Sequence, residues 1–390
     1  MSSNLQGPLD LTPPAESLTT RSASTATLAD KFGEWIHNSL RAHATNIEFN
    51  RTISGKMVIT LTTRDDGDGM DLDQLVLAIK HGPTGPKTGW AFGGEGGKNA
   101  ATNMTNGLWA WTTQARGCPC YHFEYNKDEI IRKQWVLGNP SDYIKQVASP
   151  FKDGHGTILT LHLNPTIAAD SPIWDSVVFE LGKRYGLLFN SAQNPLTITF
   201  DNKVAPQQDI TFQHVTDKAI VDNIPLDGKQ VHTLSLKGGP SCIATAAIVS
   251  PKFRGAKGKK YFCEKDSGGV YVFYKGVLLY QDPSWFTKGV PHPSENHLRI
   301  FIYLGDEWYN KIDWTVAKHL TRLRREVEMS LFNSFVKGAK ASLKNVYRKW
   351  EEQLINKGEV KARTSRKKEI CECPFCHQKA PTATFKFTGK

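Results

Sequence analysis

The sequence predicts an α/β protein of the two-layer α+β type, with two sheet-containing units and a long C-terminal helix. Alternating β-branched segments recur along the chain between segments whose apolar residues repeat every three or four positions. At 390 residues, with 39% hydrophobic residues and 19 Phe, the chain is long enough to form two hydrophobic cores. A final segment rich in lysine and arginine keeps the helical period, which predicts the long helix.

The first unit is predicted to cover residues 26–200. Residues 1–25 are rich in Ser, Thr and Pro, and we expect them to be flexible. A helix is predicted from Leu28 to Ala44, because Phe32, Ile36 and Leu40 recur at helical spacing. The later predictions are a strand at 56–63, a helix at 71–80, a hairpin of strands at 107–115 and 120–126, a strand at 156–164 and a helix at 175–188.

The second unit is predicted to cover residues 201–313, with the boundary near 195–210. The segment LTITFDNK is interpreted as the start of its strands, which continue in CIATAAIVS, GGVYVFYKGVLLY and HLRIFIYLG. The long helix is predicted from Trp314 to about Asn356, within a segment 314–358, and a basic, Cys-rich tail follows at 359–390. The expected basic face of this helix consists of Lys318, Arg322, Arg324, Arg325, Lys337, Lys340, Lys344, Arg348 and Lys349.

The charge balance favours a polyanionic partner. The net charge is +11 with a pI near 9.2, which points to nucleic acid first and to an acidic membrane surface second. No apolar run approaches the ~20 residues of a membrane span, and the first residues lack the layout of a secretory signal. The seven cysteines are an odd number without a disulfide framework, so a reduced, intracellular protein is expected.

A glycine-rich stretch, AFGGEGGKNA, is the first candidate for a phosphate-binding segment. It is not a P-loop, because Asn99 follows the lysine where that motif requires Ser or Thr. Gly94, Gly96 and Lys98 lead towards a helix expected at Ala100, and amides at a helix start with one ammonium group suit a triphosphate. The alternative is a mobile loop whose lysine is solvated.

Three further patterns contain side chains that can bind a metal ion or accept a hydrogen bond. Glu34 and Asn38 share a helix face, where a carboxylate suits a general base and an amide oxygen suits Mg²⁺. Asp65, within DDGDG, can accept a hydrogen bond from an exocyclic amine, and the glycines beside it allow close approach of a flat base. Thr157 begins a strand in GHGTIL, where its hydroxyl can pair with Asp65. Taken singly, these patterns are also typical of a solvated helix face and ordinary turns.

The order of these patterns resembles the gyrase, heat-shock chaperone, histidine kinase and MutL (GHKL) superfamily of ATPases, over about residues 28–165. The patterns are, in chain order, E-x-x-x-N, D-x-G-x-G, G-x-G-x-K and G-T. The resemblance implies a Bergerat-type ATP-binding domain followed by a transducer-like domain. It implies that Glu34 activates the attacking water, Asn38 holds Mg²⁺, Asp65 reads adenine and the Gly94–Lys98 segment covers the phosphates. The implied nucleotide-binding set is Asn38, Asp65, Gly67, Gly69, Met70, Gly94, Gly96, Gly97, Lys98 and Thr157.

Within that superfamily, the segments DDGDGMDLDQLVLAIKHG, GGEGGKNA and YNKIDWTVAKHL are similar to MORC (microrchidia) ATPases. The resemblance implies that a lysine of the second domain reaches the γ-phosphate, with Lys311 as the candidate and Lys275 and Lys288 as rivals. It implies a slow, Mg²⁺-dependent ATPase that forms an ATP-dependent homodimer and clamps nucleic acid, DNA rather than RNA, in compaction, silencing or defence. Such a protein is nuclear in a eukaryote and cytoplasmic in a bacterium.

One departure keeps other functions open. Arg41 occupies the position where the family has an acid, three residues after the Mg²⁺-binding Asn, so the efficiency of hydrolysis is in doubt. A nucleotide-dependent scaffold or sensor that does not hydrolyse ATP is one alternative. A chaperone-like ATPase acting on protein is another.

The tail contains a candidate zinc knuckle in CECPFCH. The spacing of Cys373 and Cys376 aims two thiolates at one ion. Cys371 and His377 would complete the ligand set, or a partner chain would, or the tail binds no zinc. Cys118 and Cys120 are interpreted as part of a hairpin turn instead.

Overall fold

The computed structural model describes most of the chain from Thr27 onwards, together with a short N-terminal strand. The predicted flexible segment 1–25 lies outside the described residues, apart from Leu9 and Asp10. The described residues are 9–10, 27–54, 57–80, 96–133, 136–137, 139–163, 171–189, 195–205, 221–223, 231–236, 239–253, 267–287, 289, 295–314 and 321–361.

Two mixed sheets, with helices packed on them, form the core of the described part, which confirms the predicted α/β fold class. The first six helices are α1 (Leu28–Arg41), α2 (Leu72–Ile79), α3 (Gly96–Met104), α4 (Lys127–Arg132), α5 (Pro140–Tyr143) and α6 (Ser171–Tyr185). The first ten strands are β1 (Leu9–Asp10), β2 (Asn46–Ser54), β3 (Met57–Asp65), β4 (Thr105–Gln114), β5 (Cys120–Asn126), β6 (Val136–Leu137), β7 (Ile144–Val147), β8 (Gly156–Leu163), β9 (Thr197–Phe200) and β10 (Lys203–Val204).

The first sheet has eight strands in the order β10-β9-β2-β3-β8-β4-β5-β7, while β1 and β6 pair separately. Its neighbouring strands are antiparallel except β2 and β9, which are parallel. Helix α1 starts at a capping box in which Thr27 and Asp30 satisfy each other's backbone N–H groups. Phe32 and Ile36 of its apolar stripe are fully buried, Leu40 is partly buried, and the helix packs on α3 and α6. The polar edge of α1 is thereby held over the ends of the central strands.

The first sheet extends further along the chain than the sequence predicts. The segment LTITFDNK does not start the second sheet, because β9 lies parallel to β2 and β10 folds back on β9. The aromatic side chains secure this pairing, since the rings of Phe49 and Phe200 stack with centroids 4.9 Å apart. The strand pattern in the sequence identifies the strand itself, but the partner is chosen by tertiary packing.

The second sheet has six strands in the order β11-β13-β16-β14-β15, with β12 also paired to β13. Strands β14 and β16 run parallel, and the other neighbours are antiparallel. Every residue of β14 is buried, which explains its continuous apolar sequence. The strands are β11 (Val221–Asn223), β12 (His232–Ser235), β13 (Ser241–Val249), β14 (Gly269–Tyr274), β15 (Val277–Asp282) and β16 (Leu298–Leu304).

The long C-terminal helix begins at Arg325 and not at Trp314, so the predicted start is wrong. Strand β18 (Arg322–Leu323) lies in the segment predicted to be helical, and it pairs with β17 (Ile312–Asp313), which directly precedes Trp314. The indole of Trp314 packs edge-on against Tyr274, which holds the chain outside the helix. Helical periodicity in the sequence is here overridden by tertiary contacts.

Helix α7 (Arg325–Leu331) continues through a π-helical turn, Phe332–Val336, into α8 (Lys337–Asn356). The buried residues Leu331 and Val336 lie five positions apart, which a regular α-helix would place on different faces. The wider turn brings both onto the side that packs on the protein.

Candidate nucleotide-binding site

A row of polar side chains crosses three adjacent strands at one end of the first sheet. Asp65 on β3 pairs with Thr157 on β8, and Thr157 pairs with Thr113 on β4, so the three residues share a face. The hydroxyl oxygens of Thr113 and Thr157 are 3.2 Å apart, and the Thr113 hydroxyl donates to the carbonyl of Gly156 at 3.1 Å. The strand register therefore places Thr157 directly beside Asp65, while the expected pairing of the Thr157 hydroxyl with the Asp65 carboxylate stays a prediction.

The Asp65 carboxylate is buried and is held by neutral donors. The Ser39 hydroxyl donates to Oδ2 at 2.8 Å, and the backbone N–H of Gly67 donates to Oδ1 at 3.0 Å. Burial raises the pKa of Asp65 to about 6, with a smaller contribution from the charge of Asp66, while the hydrogen bonds from Ser39 and Gly67 oppose the shift. The side-chain hydrogen bonds given for this carboxylate in the described part of the chain come from uncharged groups.

The glycines of DDGDGM bring the loop against α1 and β4. A Cβ added to Gly67 would lie 2.7 Å from the carbonyl oxygen of Ala42, at the end of α1. Gly69 has φ +69°, and its added Cβ would lie 1.8 Å from the Gln114 carbonyl oxygen, so a side chain cannot fit. The N–H of Met70 then donates to the Thr113 hydroxyl at 2.9 Å, which ties the loop to the polar row. Protein packing alone thus requires these glycines.

Helix α1 carries Glu34 and Asn38 towards the start of α3. The Asn38 side chain lies against Gly97, since a Cβ on that glycine would be 2.8 Å from the Asn38 amide nitrogen. The indole N–H of Trp35 donates to the Gly97 carbonyl at 3.3 Å. Glu34 is 9% exposed, while Asn38 is exposed. His37, between them in sequence, faces the core, where its Nε2 lies 3.0 Å from the Tyr185 hydroxyl.

The glycine-rich segment is partly helical. The helix expected at Ala100 begins at Gly96, so Gly96, Gly97 and Lys98 form its first turn. The Lys98 side chain is 4% exposed and its ammonium group donates to the Lys80 carbonyl, so in this arrangement it is neither solvated nor directed at open space. Gly94 lies outside the described residues.

The lysine candidates for the γ-phosphate belong to the second unit. Lys311 ends the 3-10 turn Asp306–Lys311 and is half-buried. Lys275 is exposed and pairs with Asp306 at 2.6 Å, whereas Lys288 lies outside the described residues. Arg41 is exposed in the last turn of α1, where a positive charge stabilises the helix C-terminus.

Sequence reasoning missed the residues that hold the named ones in position. Ser39, Thr113 and Trp35 each make a hydrogen bond to a predicted site residue or its neighbour. Ser39 directly follows Asn38, so its place next to the motif was the available signal. Thr113 lies in an ordinary alternating strand, and only the register reveals its role.

The predicted basic face is only partly available to a partner. Lys340 and Lys344 both pair with Glu295, at 2.9 and 2.6 Å, and Lys340 also lies over the ring of Trp285. Arg325 pairs with Glu328 at 2.9 Å. Arg324 lies 3.5 Å from Asp313, and Lys318 falls outside the described residues. The exposed basic residues of α8 that belong to no ion pair given above are Lys337, Arg348 and Lys349.

The candidate zinc ligands Cys371, Cys373, Cys376 and His377 lie outside the described residues. Within the described part, no group of three or more His, Cys, Asp or Glu residues is arranged to hold a metal ion. Cys118 and Cys120 are free thiols at the β4–β5 hairpin, in agreement with their interpretation as turn residues.

Comparison with known proteins gives little further information. No family model matches the chain, and no curated protein matches it. A solved structure titled as the crystal structure of the N-terminal domain of a DNA repair protein has 14% sequence identity, covering 84% of this chain and 96% of that chain, at a TM-score of 0.49. A likeness at this level carries no argument about family or activity. Among the helices of the described residues, none is long and apolar enough to cross a bilayer.

Proposed function

We propose that this protein is an Mg²⁺-dependent ATPase of the GHKL type, similar to MORC ATPases, that closes as an ATP-dependent homodimeric clamp on nucleic acid. One observation carries the proposal. A single helix, α1, contributes Ser39 to the buried Asp65 cluster and Asn38 to the start of α3, so the residue proposed to accept the base and the helix start proposed to face the phosphates both adjoin one element.

The roles follow from the chemistry of each group. Asp65, in its ionised form, accepts the exocyclic amine of adenine, and Thr157 and Thr113 supply hydroxyls beside it. Backbone N–H groups at Gly96 and Gly97 suit phosphate oxygens, because the first N–H groups of a helix have no partner within it. Asn38 offers an amide oxygen to Mg²⁺, which would neutralise charge on the phosphates. Glu34 orients the attacking water as general base.

The clamp part of the proposal depends on the second unit and α8. Lys311 is the candidate for the γ-phosphate contact that joins the two units, with Lys275 as its rival. The exposed residues Lys337, Arg348 and Lys349 offer positive charge to a phosphate backbone, DNA in preference to RNA. Because such a cycle includes closing and reopening of a dimer, turnover is expected to be slow.

Calorimetry and phosphate release test the proposal together. The wild-type protein should bind Mg²⁺ with a non-hydrolysable ATP analogue and release phosphate from ATP. Glu34→Gln should keep binding and lose at least about a hundredfold in hydrolysis, since a general base contributes roughly that factor. Glu124→Gln, at an exposed carboxylate on β5, is the matched control and should behave as wild type.

The outcomes separate the competing functions. No heat of binding with the analogue contradicts the nucleotide site itself. Binding and ATP-dependent dimerisation on a sizing column, without phosphate release, would instead support a scaffold that does not hydrolyse ATP. Preferential binding of an unfolded protein over DNA would support a chaperone-like ATPase.

A further inference from the structure

The half-buried imidazole of His155 connects the segment before β8 to the loop that follows Asp65. The next residue, Gly156, begins β8, and a Cβ added to it would lie 2.5 Å from the Asp65 carbonyl oxygen. The chain therefore passes closely against the end of β3. This path places the ring of His155 beside the loop, where its Nδ1 lies 2.8 Å from the carbonyl oxygen of Gly67.

The partners of the two ring nitrogens define the tautomer of His155. A backbone carbonyl only accepts hydrogen bonds, so Nδ1 carries the proton and donates to Gly67. The Nε2 atom lies 3.0 Å from a guanidinium nitrogen of Arg116, at the β4–β5 hairpin, and a guanidinium group only donates. Nε2 is therefore the acceptor, and the single proton of the neutral ring is directed at the Gly67 carbonyl.

The peptide group between Gly67 and Asp68 is held at both ends. His155 donates to its oxygen, and its N–H donates to the carbonyl of Ala42, at the end of α1, at 2.7 Å. The N–H of Gly67 itself donates to Oδ1 of Asp65 at 3.0 Å. Because the backbone of glycine is less restricted than that of other residues, these contacts limit the directions in which the Gly67 N–H can point.

We propose that His155 is a positioning residue for recognition of the exocyclic amine of the base, an inference that rests on the nucleotide site proposed above. It acts through Gly67. By holding the Gly67–Asp68 peptide group, it keeps the Gly67 N–H on Oδ1 and so orients the Asp65 carboxylate. The hydrogen bond from Gly67 also lowers the pKa of Asp65 against the effect of burial, which favours the ionised form that accepts an amine proton.

A role in amine recognition predicts a loss of affinity that depends on the base and not on the phosphates. The contacts from His155 lead to Asp65, whereas the phosphates are proposed to bind at Gly96 and Gly97 of α3. A purine with hydrogen in place of the 6-amino group has no amine proton to give to Asp65. The orientation of that carboxylate then contributes little to affinity, so comparing this purine with adenine separates positioning of Asp65 from general support of the fold.

The test measures, by calorimetry on the full chain with Mg²⁺, the binding of ADP and of purine riboside diphosphate, which lacks the 6-amino group. Neither ligand has a γ-phosphate to be released. His155→Ala should bind ADP about threefold to tenfold more weakly than wild type, the usual range for one hydrogen bond. The same variant should bind purine riboside diphosphate with an affinity within about twofold of wild type.

Two further variants control for the side chain and for the strand. His155→Asn should bind ADP within about twofold of wild type, because its amide nitrogen is as many bonds from the backbone as Nδ1 and donates to Gly67 in its place. His162→Ala replaces an exposed histidine of β8 and is the matched control, which should bind both diphosphates as wild type does.

Three results would overturn the inference while leaving the nucleotide site intact. These are wild-type affinity of His155→Ala for ADP, an equal loss for the two diphosphates, and a loss in His155→Asn as large as that in His155→Ala. The ratio of the two affinities is measured on one protein, so a lower folded fraction of a variant does not change it. Failure of the wild-type protein to bind either diphosphate would instead contradict the proposed function.

Discussion

Two buried carboxylates, one in each unit, are held in opposite ways. Asp65 in the first unit is 8% exposed and is surrounded by hydroxyl and amide donors, whereas Glu295 in the second is 5% exposed and lies between Lys340 and Lys344. Burial raises the pKa of both side chains. At Asp65 the effect of burial is larger than that of the hydrogen bonds, so the pKa lies above its usual value. At Glu295 the hydrogen bonds from Lys344 and Lys340 outweigh burial and hold the pKa below its usual value.

The difference separates a candidate ligand-binding carboxylate from one that holds two parts of the structure together. A carboxylate paired with two cations is satisfied within the protein and fastens α8 to the segment before β16. A carboxylate buried among neutral donors is destabilised in its charged form, a state that proteins maintain most often at functional sites. The same comparison bears on the lysines that a polyanion can use, because Lys340 and Lys344 share the negative charge of Glu295.

The largest expected effect is on the pH dependence of stability. The folded-state pKa of Asp65, about 6, lies above its ordinary value of 3.8, so the folded state binds this proton more tightly. The stabilisation that the protonated Asp65 carboxyl group gives to the folded state is therefore fully present below pH ~4. It is lost as the pH rises through ~6, which lowers the free energy of unfolding by about 3 kcal/mol. Urea unfolding of wild type and Asp65→Asn between pH 4 and 7 measures it, and an unchanged difference between the two across this range would contradict the assignment.

Nucleotide affinity is expected to respond next. Asp65→Ala should weaken binding of the non-hydrolysable ATP analogue about a hundredfold, because the amine of the base loses a charged acceptor in a buried site. Wild-type affinity should also fall as the pH drops below about 6, where the carboxyl takes up a proton. Calorimetry at pH 5 and 7.5 measures both, and a pH-independent affinity would remove Asp65 from the base contact.

Removing the second carboxylate should affect stability alone. Glu295→Gln leaves two ammonium groups facing a neutral amide, and with both lysines partly exposed we expect a loss of about 2 kcal/mol in unfolding free energy. Because the folded-state pKa of Glu295 is lowered, its contribution is present above its ordinary value of 4.5 and fades as the pH falls below that value. Nucleotide affinity should stay at the wild-type value, and a matching loss there would break the distinction between the two regions.

The smallest expected effect concerns nucleic acid. Substituting Lys337, Arg348 and Lys349 by Ala should weaken DNA binding about tenfold at low salt and reduce the slope of log affinity against log salt by roughly two to three. Substituting Lys340 and Lys344 by Ala should change the slope much less and lower the melting temperature instead. Fluorescence anisotropy over a salt series measures the slopes, and equal effects of the two sets would show that the ion pairs open on binding.

The sequence predicts the individual helices and strands better than it predicts which strands pair with each other. Strand alternation and helical spacing define β8, β16 and α1 nearly as they occur, because both signals act within one element. The pairing of β9 with β2 and of β17 with β18 depends on contacts between residues that are separated along the chain, and periodicity does not encode these contacts. Within the candidate site, the motif in the sequence singles out Asp65, whereas Thr113 becomes recognisable only through strand register.

The parallel pairing of β9 with β2 also has a consequence for how the chain folds. Asn46 meets Thr197 in the finished sheet, so the first unit closes by a contact between residues far apart in sequence. Closing so long a loop is slow, and a nascent chain that has not yet reached Phe200 leaves β2 as an open sheet edge. A ribosome that pauses in this interval would therefore hold a partly assembled first unit with an unpaired strand, the state most exposed to aggregation during synthesis.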